Sequence, residues 1–488
     1  MSEVGIAGFG AYVPPLRMSR GEVAATHAWL NPGLKSNAES ERSVANWDED
    51  AITLAVDAAR DCLDNVDRSE IRGVYLGTTT APFADRLNSG LVAGALGLDE
   101  AVVAQDTTGS LRAGTTALVA ACAAAREETV LCVAADRRAA PAATVQEMVT
   151  GHGGAAVLIA AQAGVARLLG HVSYTVDLVG HFRSAGQEFD YQWEERWFRD
   201  EGYLKLVPRL VRTLLVKAGV APAEIAHFCM PCVFPGVAAM VAQRSGLPDS
   251  SVRDNLSAGC GDTGAAHPLL ILTTALEVAK PGEKIVVVGF GQGGDALLFE
   301  ATDAIGSYRE RRPGPTKWLA RRSQCSYPRY LAINDMIKIG RGLRAEADKG
   351  TALTAAYRHR DLLTGLVGGR CKLCDTHQIP RSRVCANPDC CSIDTQEPYQ
   401  FAESTGRVVS FTTDNLTYTP DPPAYYGMID FTAGGRLMMD FTNVSKEDLV
   451  VGRQMRMVFR VKDRDAIRSY ARYFWKATPV QTEESSVG

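Results

Sequence analysis

The sequence predicts an α/β fold, a sheet covered by helices on both faces, followed by a cysteine cluster and a small β-barrel. Three observations carry this reading. From residue 1 to about 303, short apolar runs alternate with Ala-rich amphipathic stretches. A helix–strand–glycine turn–strand succession occurs twice within that span. From Gly369 onward the texture changes to cysteines and then to short strands separated by turns. The 488 residues fit two to four domains at roughly 100–200 residues each.

Residues 4–9, 74–77, 129–134, 155–160 and 284–289 are short apolar runs and read as buried strands. Residues 50–63, 113–125, 206–217 and 267–278 carry apolar side chains at i, i+3 and i+4 and read as helices. Such alternation places helices on both faces of a sheet. The succession that repeats is a small-residue turn into an apolar helix, DTTGSLRAGTTAL, then the strands TVLCVAA and GHGGAAVLIA. Its counterpart is CGDTGAAHPLLILTTAL, then KIVVVGF and, across GQGG, DALLFEA. A duplicated unit is the expectation. Residues 304–366 are basic and polar and read as a connector with short helices. Residues 367–397 hold the cysteine cluster, and 398–476 have the strand–turn rhythm of a small barrel. The closing 477–488 read as a disordered tail.

Charge and hydropathy exclude several functions. Lys+Arg 52 against Asp+Glu 56 leaves a net charge of −4, which gives no general attraction to nucleic acid or to an anionic membrane. No stretch of about 18 uncharged apolar residues occurs, so no membrane-spanning helix is expected. The opening MSEVGIAGFGAYVPP lacks a basic region and a long apolar run, so no signal peptide is expected. Twelve cysteines in such a chain point to the reducing cytoplasm, where clustered thiols are metal ligands and isolated ones are core or reactive groups.

Five of the twelve fall between Cys371 and Cys391. Cys371-x2-Cys374-x10-Cys385-x4-Cys390 places two tight pairs of thiolates around a tetrahedral Zn²⁺, with no open position, so the zinc is expected to be structural. Cys391 is a spare ligand, and His377 lies inside the loop. GFGQGG imitates a dinucleotide fingerprint, but a strand follows it where a helix is required. Gly291, Gly293 and Gly294 therefore read first as a glycine-lined turn and second as backbone contacts for a cofactor. Ser110 precedes a helix and reads either as an N-cap or as a nucleophile or anion contact. His227, Cys229 and Cys232 sit between a strand and a helix, as catalytic-site members or core thiols. Asp262 lies in the turn of CGDTG, placed to orient a base or to cap a helix. Phe189, Tyr191, Trp193, Trp197, Phe198 and Tyr203 crowd one short stretch and predict an interface, a pocket cover or a plain surface helix.

With these landmarks (GIAGFGAYVP, ANWDEDAITLAVDAA, DTTGSLRAGTTAL, GHGGAAVLIA, CGDTGAAHPLL and GFGQGGDALLFEA), residues 1–303 resemble the thiolase superfamily, in particular hydroxymethylglutaryl-CoA synthases and ketoacyl synthase III. Residues from about 316 to 476 look like the zinc-ribbon plus OB-fold acyl-CoA-binding domains that accompany thiolase-like proteins. The resemblance implies duplicated thiolase-like α-β-α-β-α layers, a homodimer and a coenzyme A thioester as substrate. It also implies a barrel that helps close the pantetheine channel.

The departures from the family pattern are specific. Laid on DTTGSLRAGT, the family's nucleophilic Cys falls on Leu111, with Ser110 just before it. The general-base Glu falls on Thr79. The His of H-x-P-N falls on Cys229, its Asn falls on Cys232, and the Asn of G-N-T falls on Asp262. Transfer through an acyl-cysteine is therefore not expected. Three readings follow: an acyl-CoA enzyme that makes or breaks a carbon–carbon bond by aldol, retro-aldol or Claisen chemistry without that intermediate, a non-catalytic acyl-CoA-binding or scaffolding partner, or a synthase-like acyl transferase using Ser110. For the first, Cys229, Asp262, His267 and His227 are the candidates for proton transfer.

Overall fold

Nine strands share one mixed sheet: β1 (Gly5–Tyr12), β2 (Ile71–Gly77), β3 (Val103–Thr107), β4 (Thr129–Arg137), β5 (His152–Ala160), β6 (Ala166–Thr175), β7 (Ile225–Cys229), β8 (Lys284–Phe290) and β9 (Gly293–Ala301). Their order is β7-β8-β9-β6-β1-β5-β4-β2-β3. This computed structural model describes residues 3–162, 164–192, 194–312, 314–339, 352–465 and 468–480. Trp193, residues 340–351 of the expected connector and residues 481–488 of the expected tail lie outside them, while residues 477–479 of that tail belong to a strand. The chain divides into two units, one of residues 1–46, 50–93 and 98–330, the other of residues 47–49, 94–97 and 331–488.

Strand order in the first unit makes the duplication visible. β1 runs antiparallel to β5, β5 antiparallel to β4, and β4 parallel to β2. β6 repeats this succession with β9, β8 and β7. The halves join where Gly5 faces Arg167 and Ile6 faces Ala166. Strands here are apolar on both faces because both faces are covered. In β8, Ile285 and Val287 enter one buried cluster while Val286 and Val288 enter another.

Helices supply the other layers: α1 (Ala51–Cys62), α2 (Ala113–Ala124), α3 (Val207–Ala218), α4 (Val237–Ser245) and α5 (His267–Val278). α5 is buried from His267 to Leu276, as a helix inside a layered fold must be. It shares its core with α2, and a Cβ on Gly114 would lie 2.1 Å from the Ala265 carbonyl oxygen. Only glycine permits that approach. α3 and α4 cover the second half from outside, and α1 packs on β1, β5 and β4. These are the α-β-α-β-α layers of a thiolase-like fold. Residues past 303 continue in this unit, where the Tyr308 hydroxyl donates to the Phe9 carbonyl at 3.1 Å and accepts from its amide at 3.0 Å.

In the second unit β10 (Val367–Cys371) lies between β11 (His377–Gln378) and β12 (Gln396–Gln400). Five further strands follow: β13 (Gly406–Asp414), β14 (Ala424–Phe431), β15 (Arg436–Asp440), β16 (Gln454–Asp465) and β17 (Tyr470–Pro479). They run in the order β15-β14-β13-β16-β17, and a bridge from Phe441 to Ala477 brings the ends together as a small barrel. The same unit buries two ion pairs, Lys476 with Asp48 at 2.9 Å and Arg460 with Glu49 at 3.1 Å. Burial opposes charge on Asp48, yet Lys476 and Arg460 outweigh it and hold the carboxyl below its ordinary range.

Removing one partner of a buried pair strands the other charge, at a cost of about 3–5 kcal/mol. Lys476→Met is expected to destabilise the second unit by that amount in chemical unfolding followed through Trp475 fluorescence. The double variant with Asp48→Asn is expected to lose less than the two single variants summed. Strict additivity would show that the pair carries no coupling.

Candidate active site

β4 ends in Asp136-Arg137-Arg138, at the carboxyl edge where α/β sheets place ligands. Asp136 is fully buried. Its carboxylate accepts from Thr78 Oγ1 (2.9 Å), Thr79 N (2.7 Å) and Oγ1 (2.9 Å), Thr80 N (3.1 Å) and Oγ1 (2.9 Å), and Ala265 N (2.8 Å). The loop after β2 is thereby tied to the turn before α5.

Arg138 begins a chain of ion pairs. Its Nε and Nη2 donate to Asp190 Oδ2 at 3.0 and 2.8 Å, and its Nη1 lies 3.5 Å from Asp262 Oδ2. Arg183 pairs with the other oxygen of Asp190 at 3.2 Å and donates to the Thr79 carbonyl. Burial would weaken the charge on Arg138, but Asp262, Asp190 and Asp136 hold its pKa above the ordinary value. Thr79, Arg183, Asp190, Arg138 and Asp262 thus form one polar chain. It runs from the position matched to the family's Glu to the position matched to its Asn.

Two more groups face this chain. His181 is pushed down to about 4, first by burial and then by Arg138, against the pull of Asp190 and Asp262, with Arg183 adding to the depression. Its imidazole is neutral at physiological pH. Tyr203 sits in a nine-residue π-helical stretch, Phe198–Leu206, a rare geometry that is frequent at functional sites. Burial, followed by Cys232 and Asp262, raises its phenol well above the ordinary range, so it remains a donor. Its ring packs on Phe290 at 4.6 Å and Phe234 at 6.0 Å. Phe290 precedes Gly291, whose carbonyl accepts from Ser110 Oγ at 2.8 Å.

The residues singled out in the sequence divide accordingly. Asp262 joins the cluster; its side chain is 21% exposed and accepts from Gly264 N at 2.9 Å. Cys229 has no exposure, contributes its thiol to the core and is pushed up to about 12 by burial. Cys232 is likewise buried and raised to about 12. His267 lies beside Asp262, its Nδ1 3.9 Å from Asp262 Oδ1, but it bonds locally: Nδ1 accepts from Thr263 N at 2.9 Å and Nε2 donates to the Asn255 carbonyl at 2.7 Å. His227 pairs with Glu283 at 2.9 Å, just ahead of β8 and outside the cluster. Ser110 does not cap α2, which starts at Ala113; its Oγ donates to Gly291 and accepts from Arg112 N at 3.4 Å. Among the described residues no imidazole or carboxylate is hydrogen-bonded to that hydroxyl.

The glycines serve the protein's own packing. A Cβ on Gly291 would lie 2.5 Å from Ser110 Oγ, one on Gly294 2.9 Å from the Leu210 side chain, and one on Gly293 (φ +107°) 2.0 Å from the Tyr174 carbonyl oxygen. Gly291 and Gln292 turn β8 into β9. Sequence reasoning missed Arg138, Arg183, Asp190 and His181. The one available signal was the charged Asp-Arg-Arg at a strand end. Tyr203 did lie in the aromatic stretch expected to cover a pocket.

In the second unit the sulfurs of Cys371, Cys374, Cys385 and Cys390 all lie within 4.8 Å of one another. Four ligands at the Zn–S distance of about 2.3 Å stand about 3.8 Å apart in a tetrahedron, so the set fits zinc. Cys371 to Cys390 is 3.9 Å and Cys374 to Cys385 is 3.5 Å. Cys391 is exposed and turned to the Asn387 and Pro388 carbonyls. His377 packs against Tyr399 at 4.3 Å.

Comparison with known proteins gives this architecture its lineage. The hydroxymethylglutaryl-CoA synthase of Pyrococcus horikoshii is 31% identical over 347 residues, 68% of this chain and 95% of that protein. The chain belongs to the hydroxymethylglutaryl-CoA synthase family. The synthase of Methanopyrus kandleri, 30% identical over 351 residues, covers 69% of this chain and 98% of its own length. A crystal structure of HMG-CoA synthase complexed with CoA shares the fold with a TM-score of 0.61 at 18% identity, over 72% of this chain and 95% of that one. Residues 215–298 match the family described as 3-oxoacyl-[acyl-carrier-protein (ACP)] synthase III C terminal, and residues 399–460 the ChsH2 C-terminal OB-fold domain. This member of the synthase family therefore carries an OB barrel and a zinc-competent cysteine cluster behind its thiolase-like unit.

His181 fixes a pH dependence. Well above pH 6.5 the imidazole is neutral in both folded and unfolded chains. As pH falls toward about 4 the unfolded chain takes up a proton that the native site refuses, and stability drops. His181→Gln is expected to flatten this part of the melting-temperature profile between those two values. Parallel profiles for the two proteins would refute the assignment.

Proposed function

We propose that this protein is an acyl-CoA-dependent enzyme that makes or breaks a carbon–carbon bond by an aldol or retro-aldol route, without an acyl-enzyme intermediate. Its membership of the synthase family supports the substrate class and the bond type. The observation that carries the departure from acyl transfer is the Arg138–Asp262 ion pair. Charge stands there, partly open to solvent, while Leu111, Thr79 and Cys229 stand where the family motif has its nucleophile and bases.

In the bond-breaking direction Asp262 accepts the proton of a β-hydroxyl group. As the O–H electrons become a carbonyl, the Cα–Cβ pair moves onto the thioester as an enolate. Tyr203 and Arg138 donate to its oxygen, and a proton returned to the α-carbon completes an acyl-CoA and a carbonyl product. Bond formation is the same sequence reversed. Neutral His181, near enough to feel the Asp262 charge, adds no charge of its own. A homodimer of the first unit belongs to the same proposal. So does structural zinc at Cys371, Cys374, Cys385 and Cys390, which would tie the ribbon strands together and leave no ligand position for chemistry.

The buried, raised thiols and the engaged Ser110 hydroxyl also favour a second reading, a non-catalytic acyl-CoA-binding partner of another thiolase-like enzyme. Incubation with β-hydroxyacyl- and β-ketoacyl-CoAs followed by mass spectrometry separates the readings. Turnover with no acyl adduct is expected, and Asp262→Asn is expected to reduce kcat by about 10²–10⁴-fold. Coenzyme A binding without turnover would favour the partner reading, and a stable adduct on Ser110 would restore acyl transfer.

Elemental analysis is expected to find one zinc per chain. Cys374→Ser should remove it and lower the unfolding temperature of the second unit. Full zinc content in Cys374→Ser would exclude this ligand set.

A further inference from the structure

The hairpin made by His181–Phe182 and Tyr191–Gln192 buries little apolar surface. Its ladder is two residue pairs long. Phe182 and Tyr191 lie 5.4 Å apart, yet they remain 40% and 59% exposed. Residues 184–188 between the strands are exposed as well. A lone two-stranded hairpin is marginal in water. Three polar links attach it: Arg138 to Asp190, Arg183 to Asp190, and Arg183 to the Thr79 carbonyl. Asp190 is the hairpin's most buried residue, and each of its oxygens holds a different arginine.

We propose that Asp190 is a positioning residue that latches this hairpin over the Arg138–Asp262 centre. The hairpin opens to admit or release the acyl-CoA and closes to present Arg138 to Asp262. This rests on reading that centre as the reaction site. Closure is electrostatic. Asp190 takes Nε and Nη2 of Arg138, which leaves Nη1 directed at Asp262, and through Arg183 it secures the hairpin to the loop after β2. With Asp190 neutral, both guanidinium links weaken together, because charge-assisted hydrogen bonds are about twice as strong as neutral ones.

Hydrogen exchange on the full chain tests the latch without need of turnover. In Asp190→Asn the amides of residues 181–192 are expected to exchange about tenfold faster or more, the scale of one lost charged hydrogen bond, while β4, β5 and α5 keep their protection. Coenzyme A, used as the probe, is expected to dissociate faster from that variant by a similar factor. Arg183→Gln, which spares Arg138–Asp190, is expected to accelerate hairpin exchange less than Asp190→Asn. Asp262→Asn is expected to leave hairpin exchange unchanged while lowering kcat by about 10²–10⁴-fold, so a failed reaction reading is distinguishable from a failed latch. Unchanged exchange in Asp190→Asn, or loss of protection spreading into β4 and α5, would overturn the proposal.

Discussion

The Asp136 carboxylate, sealed from solvent, is the joint on which the first unit's centre depends. It gathers the hydroxyls and amides after β2 and the amide before α5, and so fastens one half of the duplicated fold to the other. Hydrogen bonds to a charged group are worth about 1.5–3 kcal/mol each. The joint also dictates its neighbours. Gly264 adopts φ +62°, and a Cβ there would lie 2.4 Å from Asp136 Oδ2, so this turn admits only glycine without displacement. With both strand end and turn pinned, the backbones that carry Arg138 and Asp262 are held in place, and Asp190 holds Nε and Nη2 of the Arg138 guanidinium. Thr79, where the synthase motif has a glutamate, spends its amide and hydroxyl on the same carboxylate.

This arrangement changes what the twelve cysteines mean. In the first unit Cys62, Cys122, Cys229, Cys232 and Cys260 are buried, and desolvation pushes each thiol up to about 12, away from nucleophilic thiolate. Cys132 is displaced in the same direction. They behave as small apolar residues of a layered core. The four thiols that converge do so in the other unit, at a closed set suited to zinc. In the first unit, charges compensate one another along Arg183, Asp190, Arg138 and Asp262.

Much of the fold was legible because it is encoded locally. Strands and helices followed from apolar periodicity, and the repeated halves from two turn–helix–strand successions. The cysteine cluster followed from spacing, since thiols three, eleven and five residues apart can meet without help from distant chain. Asp262 was legible as a turn carboxylate beside a helix. The rest of the site was not. Arg138 and Asp190 are 52 residues apart, Arg183 and the Thr79 carbonyl 104, and Ser110 and Gly291 181. Ser110 looked like a helix cap because a hydroxyl before an apolar helix usually is one. Here the helix begins three residues later, and the hydroxyl bonds across to a glycine turn of the other half.

Taken alone, the sequence determined the layered α/β unit, the four-thiolate ribbon, the barrel and the absence of cysteine where the family motif has its nucleophile. All of these rest on periodicity, spacing or residue identity at a motif, which neighbours along the chain encode. Only the tertiary structure decided that Cys229 is spent inside the fold, that His227 pairs away from the site, and that Arg138, Asp190, His181 and Tyr203 assemble near Asp262, beside His267. Those outcomes depend on burial and on which strand ends and loops come together. Both are properties of the closed sheet, not of any stretch of chain.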